Sequence, residues 1–183
     1  MSSSILLGVT GLPATGKSTI GHYLHRVHRF GVIEGGVELK KIAEKRLKAI
    51  ASREDYTRLF EDEQRRQSMD WITRKALNLP ESRKAHIGMR SLHEAETIWQ
   101  HGGYIIAATC DIATSLYRIH PNDSKRPHNN EDYRKHVELE NSDTQYGPHT
   151  SAVIGLADFV ICTGGMLLDT FNQVDDIVEK LTA

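Results

Sequence analysis

Gly11-Leu12-Pro13-Ala14-Thr15-Gly16-Lys17-Ser18 satisfies the pattern G-x-x-x-x-G-K-[ST] at every fixed position. Such a loop can wrap its backbone N–H groups around a phosphate. Gly11 and Gly16 allow backbone conformations that side chains resist. Pro13, Ala14 and Thr15 complete the turn, and a helix starting near Gly16 aims the positive end of its dipole at the anion. Lys17 has the reach for β- and γ-phosphates, Ser18 can place its hydroxyl on Mg²⁺, and Thr19 can serve the α-phosphate. The chemistry expected is therefore binding of a nucleoside triphosphate with Mg²⁺ as cofactor.

The elements around the loop match that reading. The apolar run Ile5–Thr10 reads as a buried strand. The helix that follows, to about His28, carries Ile20, Leu24 and Val27 as its apolar stripe. Further strands are expected at 31–34, 85–89, 104–109 and 158–162. Between them, helices are expected at 37–48, 54–66 (capped by Ser52), 69–77, 92–101, 112–117, 131–140, 150–156 and 167–181. Ser91-Leu92-His93-Glu94 has the spacing of a capping box. Leu168, Phe171, Val174, Ile177 and Leu181 are expected on the inner face of the last helix. Strands alternating with helices predict an α/β fold: a three-layer P-loop NTPase with a five-stranded parallel sheet.

Composition excludes little but is consistent. In 183 residues, 39% are apolar and the formal net charge is −1, which suits one domain with an ordinary core. Near-neutral balance gives no global attraction to nucleic acid or membrane. The run 5–9 is too short to span a bilayer, and the first residues lack a basic stretch, so a cytoplasmic protein is expected, as monomer or homodimer. Cys110 and Cys162 follow apolar runs and read as buried free thiols. His22, His25 and His28 recur every three residues, but no carboxylate or cysteine completes a metal site nearby, and they read as a solvated face. Arg46 and the lysines of 40–48 read likewise, and Trp71 and Trp99 as packing residues.

A switch GTPase would carry N-K-x-D after a late strand; here that strand runs into Cys162-Thr163-Gly164-Gly165. Instead, the polar segment 118–130 carries Arg118, Lys125 and Arg126, able to close over ATP and lay guanidinium groups on the transferring phosphate.

Four segments carry a family likeness: the loop through Thr19, Glu61-Asp62-Glu63-Gln64-Arg65, Gly88-Met89-Arg90-Ser91-Leu92-His93-Glu94-Ala95-Glu96, and Leu156-Ala157-Asp158-Phe159-Val160-Ile161. With these the chain resembles the nucleoside-monophosphate-kinase-like branch of P-loop kinases. Within it, the likeness is to archaeal kinase-like P-loop ATPases, dephospho-CoA kinase and phage deoxynucleoside monophosphate kinases. The resemblance implies γ-phosphate transfer from MgATP to a small phosphorylated acceptor. A nucleoside or deoxynucleoside monophosphate comes first and dephospho-CoA second. It implies an acceptor-binding insertion at 35–80, a lid at 118–130, and acceptor contacts from Arg65 and Arg90. Lys17, Arg90, Arg118 and Arg126 would form the catalytic clamp.

One position departs from the family pattern. Where the third strand ordinarily ends in Asp, this chain has Ile87, which can neither bind Mg²⁺ through water nor orient an acceptor. Glu34 is the favoured replacement carboxylate, with Asp111 and His86 as alternatives. The departure leaves open a protein that binds ATP without passing its phosphate on.

Overall fold

The computed structural model describes residues 4–46, 53–119, 127–141 and 144–183. The sheet consists of β1 (Ile5–Thr10), β2 (Gly31–Glu34), β3 (Arg83–Ile87), β4 (Tyr104–Thr109) and β5 (Phe159–Cys162). All pairings are parallel, in the order β2-β3-β1-β4-β5. The chain turns left from β1 to β2 and β3, then right to β4. The resulting crevice at the C-terminal end of β1 is where open α/β sheets take their ligands.

Helices cover both faces. Ile5, Leu7 and Val9 point to one side, where they meet Ile20 and Leu24 of α1 (Lys17–Arg26) and Val174, Ile177 and Val178 of the C-terminal helix (Leu167–Thr182). Leu6 alternates to the other side, against Ala95 and Ile98 of the helix Leu92–Gln100 and Val153 of the helix Thr150–Gly155. Both-sided burial explains why β1 reads as an uninterrupted apolar run. Between β2 and β3, Gly35–Arg46, Arg53–Arg66 and Trp71–Leu77 form a helical lobe around Leu39, Phe60, Trp71 and Ile72. These are α2, α3 and α4; the remaining helices are α5 (Leu92–Gln100), α6 (Ile112–Tyr117), α7 (Asn130–Leu139), α8 (Thr150–Gly155) and α9 (Leu167–Thr182).

The anticipated capping box at Ser91 and Glu94 is formed. Several expectations are corrected. The third strand runs over 83–87, ending two residues earlier than the apolar pattern suggested. α1 stops at Arg26, and Val27, its C-cap, is exposed. Leu168 lies on the outer face of α9 and is 62% exposed. At 100° per residue it falls about 135° from the centre of the stripe formed by Thr170, Val174, Ile177 and Val178. Cys162 is exposed and Cys110 half-buried: on the edge strand β5, Phe159 and Ile161 turn toward the core, and Val160 and Cys162 alternate out. Trp71 is buried, but Trp99 is 39% exposed, donating to Asp158. Arg46 is not simply solvated; it grips the fully buried Glu63 and ties α2 to α3. His28 lies beyond α1, with Nε2 2.7 Å from an Asp175 carboxylate oxygen. Among the described residues no group of histidines, cysteines and carboxylates could hold a metal ion. No described helix is long and apolar enough to cross a membrane. Ser52, Leu47, Lys48, Lys125 and Arg126 lie outside the described residues.

Candidate active site

The loop between β1 and α1 has the geometry its motif requires. Gly11 adopts φ 146° and Gly16 φ 89°. A Cβ on Gly11 would come within 2.5 Å of the Ala108 carbonyl oxygen and 2.6 Å of Thr15 Oγ1, so no side chain fits there. Ala14 also sits in the left-handed region, at φ 59°. Gly16 caps α1 without a side chain, leaving the first-turn amides of Lys17, Ser18 and Thr19 directed at the mouth of the loop. Lys17 Nζ folds back over this cradle, donating to the carbonyls of Gly11 (2.7 Å) and Leu12 (2.6 Å).

Around the loop lies a cavity of about 630 Å³. Its wall includes Gly11, Pro13, Ala14, Gly16, Lys17, Ser18 and Thr19, with Glu34, Arg90 and Arg118. They come from the C-terminal ends of β1, β2 and β3 with the turns that follow, and from the end of α6. Ser18 Oγ donates to Glu34 Oε1 at 2.5 Å. Glu34 and Ile87 are register partners in the parallel pair β2–β3. The carboxylate therefore stands one strand over from the position that Ile87 occupies. The other replacements do not reach the cavity wall. Asp111 caps α6, accepting from the backbone and hydroxyl of Thr114, and His86 is fully buried.

Arg90 follows β3 through the turn at Gly88 (φ 83°). Its backbone N–H donates to Glu94 Oε2 (2.8 Å), and its carbonyl accepts from the His149 N–H (2.7 Å). The guanidinium Nε lies 3.4 Å from Glu140 Oε2. Arg118, at the end of α6, is clipped to the far side by the Thr163 carbonyl and by Thr163 Oγ1 at 3.2 Å. Thr163 Oγ1 in turn donates to the Thr15 carbonyl in the loop (2.8 Å). A second hollow of about 290 Å³ opens beside Gly16 and Thr19, lined by Arg118, Thr163, Gly165, Leu167 and Thr170.

Arg65 is not brought to the cavity. It pairs along its own helix with Glu61 and Asp62 and covers the Tyr146 ring at 4.9 Å. The sequence reading missed Glu140, Thr163 and Tyr133. Tyr133 is buried and donates to the Pro13 carbonyl (3.3 Å), pressing α7 onto the loop. Its neighbours on α7, Glu131, Asp132, Arg134 and Lys135, are all charged, so nothing in the local sequence marked it.

Beneath Arg90 lies a buried couple. His86 and Glu94 have no exposed surface, and His86 Nε2 stands 3.9 Å from Glu94 Oε1. Neither atom has a hydrogen-bond partner among the described residues. Burial pushes Glu94 up to about 7, against backbone hydrogen bonds from Arg90 and Ser91 that favour the anion. Burial, helped by the Arg90 charge, pushes His86 down to about 3. The signs oppose. The Glu94 contribution to stability is complete below its ordinary 4.5 and is lost as pH rises through about 7. The His86 contribution is complete above its ordinary 6.5 and is lost as pH falls toward about 3. Between pH 4.5 and 6.5 the two slopes cancel. We predict a denaturation midpoint nearly independent of pH in that window for the wild-type chain. His86→Gln leaves Glu94 alone, and stability should then rise on acidification by about 1.4 kcal/mol per pH unit. Denaturant titrations across the window check this; a steep wild-type slope would contradict it.

No protein-family model matches the sequence, and a search of curated proteins finds no match. Solved structures do match over nearly the whole chain. Shikimate kinase from Acinetobacter baumannii, in complex with shikimate, is 14% identical, with a TM-score of 0.60, covering 98% of this chain and 94% of that one. Shikimate kinase from Aquifex aeolicus is 15% identical with a TM-score of 0.56, covering 96% of both chains. A gluconokinase from Sinorhizobium meliloti is 12% identical with a TM-score of 0.58, covering 99% and 97%. The five-stranded parallel sheet, its helical covering and the phosphate loop at its crevice are thus the fold of the small P-loop kinases.

Proposed function

We propose that the protein is an ATP-dependent kinase that transfers the γ-phosphoryl group to a hydroxyl of a small acceptor. One observation carries the choice: the Glu34 carboxylate meets the loop hydroxyl of Ser18 at 2.5 Å, on the wall of the cavity that Lys17 and Arg118 also line. A phosphate acceptor is already an oxyanion near neutrality and needs no base. An alcohol does need one, and a carboxylate beside the reacting phosphate supplies it.

In this reading the loop amides and Lys17 hold the β- and γ-phosphates. The second hollow beside Gly16 receives the nucleoside, with Arg118 along its edge. Ser18 Oγ and the neighbouring Glu34 carboxylate are hard oxygen donors, a set that suits Mg²⁺ shared with phosphates and water. Bound Mg²⁺ neutralises phosphate charge. The acceptor oxygen attacks in line, its bond to the γ-phosphorus forms as the β,γ-bridging P–O bond breaks, and the electron pair leaves on ADP. The hydroxyl proton passes to Glu34. Arg118 steadies charge on the transferring group, and Arg90 stands at the acceptor end. In this reading the helical lobe α2–α4, whose Gly36 lines the cavity, is the acceptor-binding insertion, and the segment that begins at Arg118 is the lid, with Arg126 outside the described residues.

The chain's neighbours support a hydroxyl acceptor in kind, since shikimate and gluconate kinases are among them. A nucleoside monophosphate is a second reading, favoured by two arginines, Arg90 and Arg118, on one cavity wall. Dephospho-CoA would also offer a hydroxyl.

The test is incubation with MgATP and a panel of hydroxy acids, polyols, sugars, nucleoside monophosphates and dephospho-CoA, with products read by mass. One phosphorylated alcohol, formed with equal ADP, is the expected result. A phosphorylated nucleotide would establish the second reading. ATP bound with no compound modified would make the chain a nucleotide-binding module.

A further inference from the structure

The acceptor end of the cavity is not built for an anion. Among the described residues, its charged side chains fall into two groups. Lys17 and Arg118 belong to the phosphate loop and its far rim. The acceptor end holds one guanidinium, Arg90, and two carboxylates, Glu34 and Glu140. Arg90 is already engaged: its Nε stands 3.4 Å from Glu140 Oε2, with the two side chains only 17% and 4% exposed.

Neither partner can swing away cheaply. Glu140 accepts from Thr150 Oγ1 at 3.0 Å, and its carbonyl accepts from the Thr150 N–H at 2.9 Å. The Arg90 backbone is tied at its N–H to Glu94 and at its carbonyl to His149. A phosphate or carboxylate arriving at the N–H groups of Arg90 that do not face Glu140 would be held by one guanidinium against the field of two carboxylates, Glu140 beside it and Glu34 on the same wall. Both carboxylates therefore oppose an anion at this end of the cavity. A hydroxyl moves no charge. It can donate to a carboxylate and accept from the guanidinium at once.

We propose that the acceptor is a hydroxylated compound without an anionic group, of the polyol or sugar class, and that Glu140 sets this preference. The inference rests on the kinase reading, because it concerns the acceptor end of the same cavity. Glu140 acts through Arg90 and is a specificity-determining residue.

Two measurements separate its failure from failure of the kinase reading. In the first, Glu140→Gln keeps an oxygen for Thr150 and removes the charge. Wild-type enzyme should phosphorylate uncharged polyols or sugars in preference to shikimate, gluconate and nucleoside monophosphates. E140Q should shift the ratio of kcat/KM values toward the anionic acceptors by at least about tenfold. A wild-type preference for an anionic acceptor overturns the proposal.

In the second, the loop is filled with Mg²⁺ and the β,γ-imido analogue of ATP, and inorganic phosphate is titrated in by calorimetry. Wild type should bind phosphate at least about tenfold more weakly than E140Q, and the double variant R90M/E140Q should lose that gain. Phosphate binding by wild type that R90M abolishes, or no gain in E140Q, overturns the proposal even where no panel compound is phosphorylated. That last outcome in the panel alone counts against the kinase reading only.

Discussion

Lys17→Ala should lower kcat/KM for ATP by about 10²- to 10³-fold, or about 3–4 kcal/mol of transition-state stabilisation. The fold itself should lose little. In the structure Lys17 Nζ is held by two carbonyls of its own loop, Gly11 at 2.7 Å and Leu12 at 2.6 Å. Those bonds place the ammonium over the cradle; in the proposed function they are exchanged for phosphate oxygens when nucleotide enters. Removing them leaves Thr15 Oγ1 still bonded to the Leu12 carbonyl (2.9 Å) and Thr163 Oγ1 to the Thr15 carbonyl (2.8 Å). The loop should therefore keep its shape while losing its charge. Steady-state kinetics with a thermal-shift comparison, with and without MgATP, separate the two effects. A variant whose unliganded Tm collapses would give Lys17 a structural role. One within tenfold of wild-type activity would remove it from the chemistry.

The phosphate loop was legible because everything it needs is local. Strand, glycines, lysine, serine and helix lie in one stretch of chain, and the backbone angles at Gly11 and Gly16 are those the spacing demands. The helical periods and the capping box at Ser91 and Glu94 were legible for the same reason. What failed depended on position in space. Cys162 looked buried because its strand is apolar, but a strand at the sheet edge hides only alternate residues. Leu168 was placed inward because spacings of three drift around a helix of 3.6 residues per turn.

The site shows the same division. The missing carboxylate at Ile87 was visible in the sequence, and Glu34 stood out as its replacement. That the two are register partners, with Glu34 bonded to Ser18, came only with the sheet. Arg65 carried a family likeness, yet its helix turns it toward Glu61, Asp62 and Tyr146. Glu140 offered no signal at all. It lies fifty residues beyond Arg90, in a polar helix end, and its meaning comes entirely from the fold that buries it against that arginine.

Glu34→Gln should lower kcat by about 10²- to 10⁴-fold with an alcohol as acceptor. The amide is nearly the shape of the carboxylate and can still accept from Ser18 Oγ, so the loop and the cavity wall are preserved. What it cannot do is take the hydroxyl proton as the acceptor oxygen closes on phosphorus. The loss should fall on kcat, with KM for the acceptor little changed, because a proton acceptor acts in the transition state more than in the bound complex. A role confined to the metal side would read differently: activity would return as Mg²⁺ is raised, and the apparent affinity for Mg²⁺ would carry the defect. The substitution also interrogates the acceptor. A phosphate oxygen arrives already deprotonated, and removing a carboxylate from its path relieves repulsion. With such an acceptor Glu34→Gln should leave kcat unchanged or raise it, and that result would overturn the hydroxyl assignment. The choice between the two chemistries thus turns on one carboxylate, held 2.5 Å from the serine of the phosphate loop.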